Sequence, residues 1–147
     1  MSGSSIFLPK RANVVTSVYG GIQTALADGT HLITDNGGVT TMSAVITAES
    51  GVVHVALQPV AGSGAGSQLR GGSSTKLEIL RNGSPIAALL GGAIVGGVVH
   101  YAQPLVVTDT GAGTGSNTYT VRATIFGGGG AGYIWTIDMS IVATEVK

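Results

Sequence analysis

The chain predicts an all-β fold, a two-sheet sandwich or a barrel. Three observations carry that expectation. No segment shows a convincing helical period. The C-terminal stretch alternates apolar and polar residues with a period of two: Tyr119, Val121, Ala123 and Ile125 against Thr118, Thr120, Arg122 and Thr124, then Tyr133, Trp135, Ile137, Met139, Ile141 and Ala143 against their neighbours. Side chains alternate across a strand, so this pattern describes half-buried sheet. Short apolar stretches elsewhere are separated by turn signals every 8–12 residues, the spacing of a sandwich or barrel.

Taken in order, residues 1–13 read as an extended arm and 14–147 as one β domain. The arm carries an apolar plug, Ile6, Phe7 and Leu8, then Pro9, Lys10 and Arg11. Residues 14–19 and 22–27 are short strand candidates around Gly20-Gly21, and Asp28-Gly29 is a hairpin turn. Residues 31–34 follow, then the turn Asp35-Asn36-Gly37-Gly38 and a Thr/Val-rich strand over 39–48. Glu49-Ser50-Gly51 turns the chain into a strand at 52–60. Residues 61–74 hold five glycines and four serines and read as a long loop. Residues 75–81 form a strand, with Leu80 unexpectedly apolar beside Lys76 and Glu78 on its polar side. Asn82-Gly83 predicts a type I′ turn. Strands are expected at 85–90, 93–95 and 98–108, and a small-residue loop at 111–117. The two long C-terminal strands then flank the glycine stretch 127–132, read as a hairpin loop.

The chain's 147 residues suit one domain that buries a core without staples. No cysteine is present, which excludes disulfides and thiolate metal sites. Seven basic and seven acidic residues cancel, so there is no field to hold nucleic acid or an anionic membrane. Charged residues make up 10%, against about 25% in an ordinary domain. With a mean hydropathy of +0.43, so little charge predicts poor solubility unless identical subunits or a larger assembly cover the surface. No secretory signal is visible at the start. The longest apolar run, 86–99, is shorter than the ~20 residues of a membrane helix and contains four glycines.

Several motifs suggest chemistry. Asp109-Thr110-Gly111 resembles the active-site turn of retroviral-type aspartic proteases, where paired carboxylates share a proton. The apolar-apolar-Gly-Arg segment that follows in those enzymes is missing, and the turn reads as a strand end with an Asp turn. The stretch 127–132 satisfies G-x-G-x-x-G, but a strand follows where a phosphate site needs a helix. His31, His54 and His100 show no ligand spacing, and only His31 has a nearby carboxylate, Asp35, four residues on. Asn82-Gly83-Ser84 matches a glycosylation acceptor and is read as the hairpin turn. No cofactor and no catalytic residue is expected. The aromatics are not interleaved with basic residues, and read as core or interface anchors.

The strand Thr118-Tyr119-Thr120-Val121-Arg122-Ala123, the variable glycine loop and the ending Ile137-Asp138-Met139-Ser140-Ile141-Val142-Ala143-Thr144-Glu145-Val146-Lys147 resemble the closing strands of small trimeric jelly rolls on phage particles. These tumour-necrosis-factor-like or complement-like folds occur in capsid decoration proteins, head fibres and tail-fibre tips. The resemblance implies a two-sheet jelly-roll sandwich, a homotrimer and no catalysis. It implies partners in the chain itself and a major capsid protein, on the outer surface of a virion. Under it, Ile6, Phe7, Leu8, Pro9, Lys10 and Arg11 would form a capsid-binding arm, and Tyr101, Tyr119, Tyr133 and Trp135 the trimer interface. Between two roles, the chain is expected to be a decoration or cement protein, because it lacks a heptad stem or collagen-like shaft. The alternative is a receptor- or glycan-binding tip using loops 61–74, 111–117 and 127–132, which as loops lack clusters of Trp, Tyr and Arg.

Overall fold

The computed structural model describes residues 11–17, 24–26, 29–33, 41–59, 68–71, 75–90, 100–101, 105–125, 132–135 and 139–146. Within them the chain is all-β, as the alternation predicts, and contains no helix. The strands are β1 (Arg11–Ser17), β2 (Thr24–Leu26), β3 (Gly29–Leu32), β4 (Ser43–Ala48), β5 (Val53–Pro59), β6 (Gln68–Gly71) and β7 (Thr75–Arg81). There follow β8 (Ser84–Leu90), β9 (His100–Tyr101), β10 (Leu105–Asp109), β11 (Gly115–Ile125), β12 (Gly132–Trp135) and β13 (Met139–Glu145).

Two antiparallel sheets share one core. The first has the order β1-β13-β5-β10. The second has the order β3-β11-β7-β8, with β4 also pairing with β11. β11 is its spine. β7 lines one side of it, while β4 and then β3 line the other, opposite residues 115–120 and 122–125. Alternation decides which residues go inside. Ala44, Ile46 and Ala48 of β4, Leu77 and Ile79 of β7, and Tyr119, Val121 and Ala123 of β11 enter the core from one sheet. Val53, Val55 and Leu57 of β5 and Ile141 and Ala143 of β13 enter it from the other. The buried set mixes small residues, Ala44, Ala123 and Ala143, with the large Tyr119 and Met42, and Ala44 is the cross-strand partner of Tyr119.

The third sheet, β2-β12-β6-β9, lies in the connections. Each of its strands interrupts a link that crosses from one main sheet to the other. Antiparallel neighbours alternate in direction, so all four links leave the sandwich at the same end. The opposite end carries the turns at 49–51, 82–83 and 110–114. At the second of these, Asn82 (φ 48°) and Gly83 (φ 84°) are both left-handed, as a type I′ turn requires.

The strand boundaries depart from the expectation in instructive places. β1 starts at Arg11, so residues 11–13 of the expected arm pair with β13. The expected strand 39–48 is β4 plus a single bridge at Thr41, and the expected strand 98–108 is β9 and β10. β6 lies within the stretch expected to be a loop, and β11 begins inside the small-residue loop before it. The last expected strand is two strands in different sheets, so β11 and β13 are not a hairpin but face each other across the core. A period of two continues unchanged through a strand that leaves one sheet and joins another, which is why alternation could not show the break. The expected strand 93–95 lies outside the described residues. Leu80 is buried although it lies on the polar side of β7, on the same face as Glu78, which is buried as well; the β7–β8 register also shifts between Ile79 and Leu80.

Candidate functional site

The turn-bearing end of the sandwich holds the most organised polar cluster. β10 ends at Asp109 in the first sheet, while β7 ends at Arg81 in the second. Arg81 is the cross-strand partner of Tyr119 on β11, so the two lie on the inner face together. Arg81 Nη1 donates to both Asp109 oxygens at 2.7 and 2.9 Å. The Tyr119 hydroxyl donates to Asp109 Oδ2 at 2.9 Å, and the Gly111 amide donates to Oδ1 at 3.1 Å. Burial pushes the Tyr119 hydroxyl well above the ordinary tyrosine range, and the adjacent Asp109 carboxylate adds to the rise. The Asp-Thr-Gly turn is therefore an inter-sheet brace. Its carboxylate is buried and taken up by three partners of its own chain.

A second clamp sits at the same end. Glu145, the last residue of β13, is fully buried. Its Oε1 accepts the amides of Glu49 and Ser50 at 2.5 and 2.6 Å. The Val146 amide reaches Val52 O at 3.0 Å. The C-terminal strand thus fastens the turn between β4 and β5.

A third cluster lies on the outer face of the second sheet. Glu78 of β7 accepts Arg122 Nε at 2.8 Å and lies 2.5 Å from Lys76 Nζ. Burial alone would raise the Glu78 pKa, but hydrogen bonds from Lys76 and Arg122 outweigh it and leave the value lowered. A carboxyl with a lowered folded pKa adds stability above its unfolded value and loses it as pH falls through the folded one. The fold is therefore expected to weaken as pH drops below about 4.5, the unperturbed value. Because Lys76 and Arg122 are each about a third exposed or less, solvent screening limits the Glu78 share to about 1 kcal/mol. Urea denaturation of the Glu78→Gln variant across pH 3–7 checks this; an acid limb as steep as that of the parent would refute it. Beside this cluster Leu32, the register partner of Arg122, is half exposed, as is Val45 of β4.

The arm residues Ile6, Phe7, Leu8, Pro9 and Lys10 lie outside the described residues, whereas Arg11 opens β1 opposite Thr144. Tyr119 is spent inside its own chain, with no exposed surface to offer a neighbour. Tyr101 falls on β9, and Tyr133 and Trp135 on β12, all in the third sheet. His31, His54 and His100 are on three different strands, and Asp35 lies outside the described residues. Among the described residues no three His, Cys, Asp or Glu converge to hold a metal ion, and no helix is long and apolar enough to cross a membrane. Sequence reasoning missed the partners Arg81, Glu78, Arg122 and Glu145. The one available signal was a scarcity of charge, which makes every charged residue inside a strand a candidate for pairing.

No family model matches the chain, and no curated protein matches it.

Proposed function

We propose that the chain is a virion structural protein, a trimeric jelly roll that decorates the outer surface of a capsid and stabilises the shell. The observation that carries this reading is the strand order. Setting the third sheet aside, and counting β3 with β4 as one interrupted strand, eight strands remain. In chain order, the first sheet pairs the first strand with the eighth, the eighth with the third, and the third with the sixth. The second sheet runs second, seventh, fourth, fifth. That interleaving supports two Greek keys closed on each other, the jelly-roll plan found in viral capsid and lectin domains. Fold does not fix function, so the surface carries the rest. Leu32, Val45 and Val106 expose about half of their area on the outer faces of the two sheets, on a chain with few charges to keep it apart from its neighbours. A homotrimer, with a major capsid protein beneath it, would cover such surface.

The test is copy number in purified particles. Decoration predicts a stoichiometry comparable to the major capsid protein; absence from particles would refute it. In the same assay, removing residues 1–10, which leaves β1 whole, is expected to preserve a folded trimer and abolish capsid binding. Binding that survives this deletion would take the anchoring role from Ile6, Phe7, Leu8, Pro9 and Lys10. The alternative reading, a host-receptor or glycan-binding tip, predicts only a few copies per particle.

A further inference from the structure

The edges of the two main sheets are not alike. An edge strand offers unmet backbone groups to any other strand, and proteins blunt it with charge, proline, a bulge or an interruption. β1 carries a register shift between Val15 and Ser17. β8 carries Pro85 and a register shift opposite Ile79 and Leu80. Beyond β11 the edge is broken between β3 and β4. β10 has none of these devices. Its five residues, Leu105–Asp109, pair with β5 in one unbroken register. Four of them are aliphatic or threonine, and the fifth, Asp109, is buried and held by Arg81. Solvent also reaches this edge. Leu105 and Val107 pack against the core yet are only half-buried, as are Ile86 and Ala87 of β8, the edge of the other sheet. The inward residues of β4, by contrast, are all buried. On the outer face of β10, Val106 and Thr108 are exposed.

We propose that β10 is a contact through which two copies of this chain associate, edge to edge and antiparallel about a two-fold axis. The strand is complementary to itself. Centred on Val107, the pairing sets Val107 opposite its own copy, Val106 opposite Thr108, and Leu105 opposite Asp109. Aliphatic and β-branched residues thus pair across the junction, where they suit a sheet. The two Asp109 residues lie at opposite ends of the pair, so no like charges face each other. The two first sheets join into one, in the order β1-β13-β5-β10-β10-β5-β13-β1. A two-fold contact uses the same patch on both copies and closes on itself. Five residues a side fall well short of the ~800 Å² that a stable interface takes from each partner, so the association depends on concentration. The contact stands apart from the virion reading and joins single chains or trimers alike.

The full chain is sedimented from dilute solution up to about 1 mM, the weak end of measurable affinity. Its mass is expected to double over that range, from monomer to dimer or, where the unit is a trimer, from trimer to hexamer. Val106→Lys places two lysines as diagonal neighbours across the junction and is expected to weaken the doubling by about tenfold or more. Val45→Lys, at an equally exposed position on the other sheet, is expected to leave the doubling unchanged, and both variants to keep the thermal midpoint of the parent. The chain has no cysteine, so a Val107→Cys variant has only its own copy to bond with, and air oxidation is expected to link it in pairs. No doubling, or doubling that survives Val106→Lys, would overturn the proposal. So would doubling that Val45→Lys weakens equally, which would place the contact elsewhere, or a Val107→Cys chain that stays unlinked. Particle copy number is read separately, so failure of the virion reading leaves this result interpretable.

Discussion

Asp109→Ala is expected to lower the stability of the fold by about 3 kcal/mol, the scale of breaking a buried ion pair by removing one partner. The loss has two parts. Arg81 keeps about a quarter of its side chain exposed, so its abandoned charge regains water at modest cost. The Tyr119 hydroxyl is fully buried and loses its acceptor in a place water does not reach, where an unmet donor costs about 1–3 kcal/mol. Against the 5–15 kcal/mol of a typical domain, a loss of about 3 kcal/mol removes roughly a fifth to three fifths of the stability. Tyr119→Phe removes only the hydroxyl and is expected to cost about 1 kcal/mol. Combining the two substitutions should cost less than their sum, because they share one hydrogen bond. Urea denaturation with an unchanged slope checks both. An Asp109→Ala variant within 1 kcal/mol of the parent would mean that the brace contributes little.

Glu145→Ala is expected to cost about 2 kcal/mol. The carboxylate accepts two amides, and charge-assisted hydrogen bonds are about twice as strong as neutral ones. Its two donors belong to exposed turn residues, Glu49 and Ser50, and water replaces part of what they lose. The effect should therefore be local as well as global. Amide hydrogen exchange at Glu49 and Ser50 is expected to accelerate more than exchange in β11, which is buried at the centre of the other sheet. Uniform acceleration throughout the chain would show that Glu145 acts on the whole fold and not on the turn. Gly51 sets the conformation of that turn with φ +76°, so the clamp holds a backbone that the sequence has already shaped.

Local signals were read well where strand and turn chemistry agree. Residues 75–81 and the Asn82-Gly83 turn are where alternation and turn residues placed them, and Val121, Ala123, Ile141 and Ala143 fill the core that alternation assigned to them. Sequence failed where the deciding partner is distant. β6 is four residues, Gln-Leu-Arg-Gly, too short to show a period among glycines and serines. The pairing that makes it a strand comes from Tyr133 and Trp135 on β12. The same distance hid the alternation of aromatic and polar residues on the third sheet, which exists across strands and nowhere along them. Tyr119 was legible as an apolar inward position. Its hydroxyl partner, ten residues back across the sandwich, was not.

The position of β13 has a consequence for the order of events in folding. It follows every other described strand in the chain, yet it sits in the middle of its sheet, between β1, the first described strand, and β5. Until it emerges, both neighbours expose a row of unmet backbone groups, and the first sheet stays open along its centre. Closure then joins Arg11 to Thr144, a contact between opposite ends of the chain whose loop-closure entropy is among the largest the sequence allows. Such a topology folds in milliseconds to seconds, well behind helical domains of equal stability. During that interval the half-sheet of β1 and β5 is a template for strands of other chains.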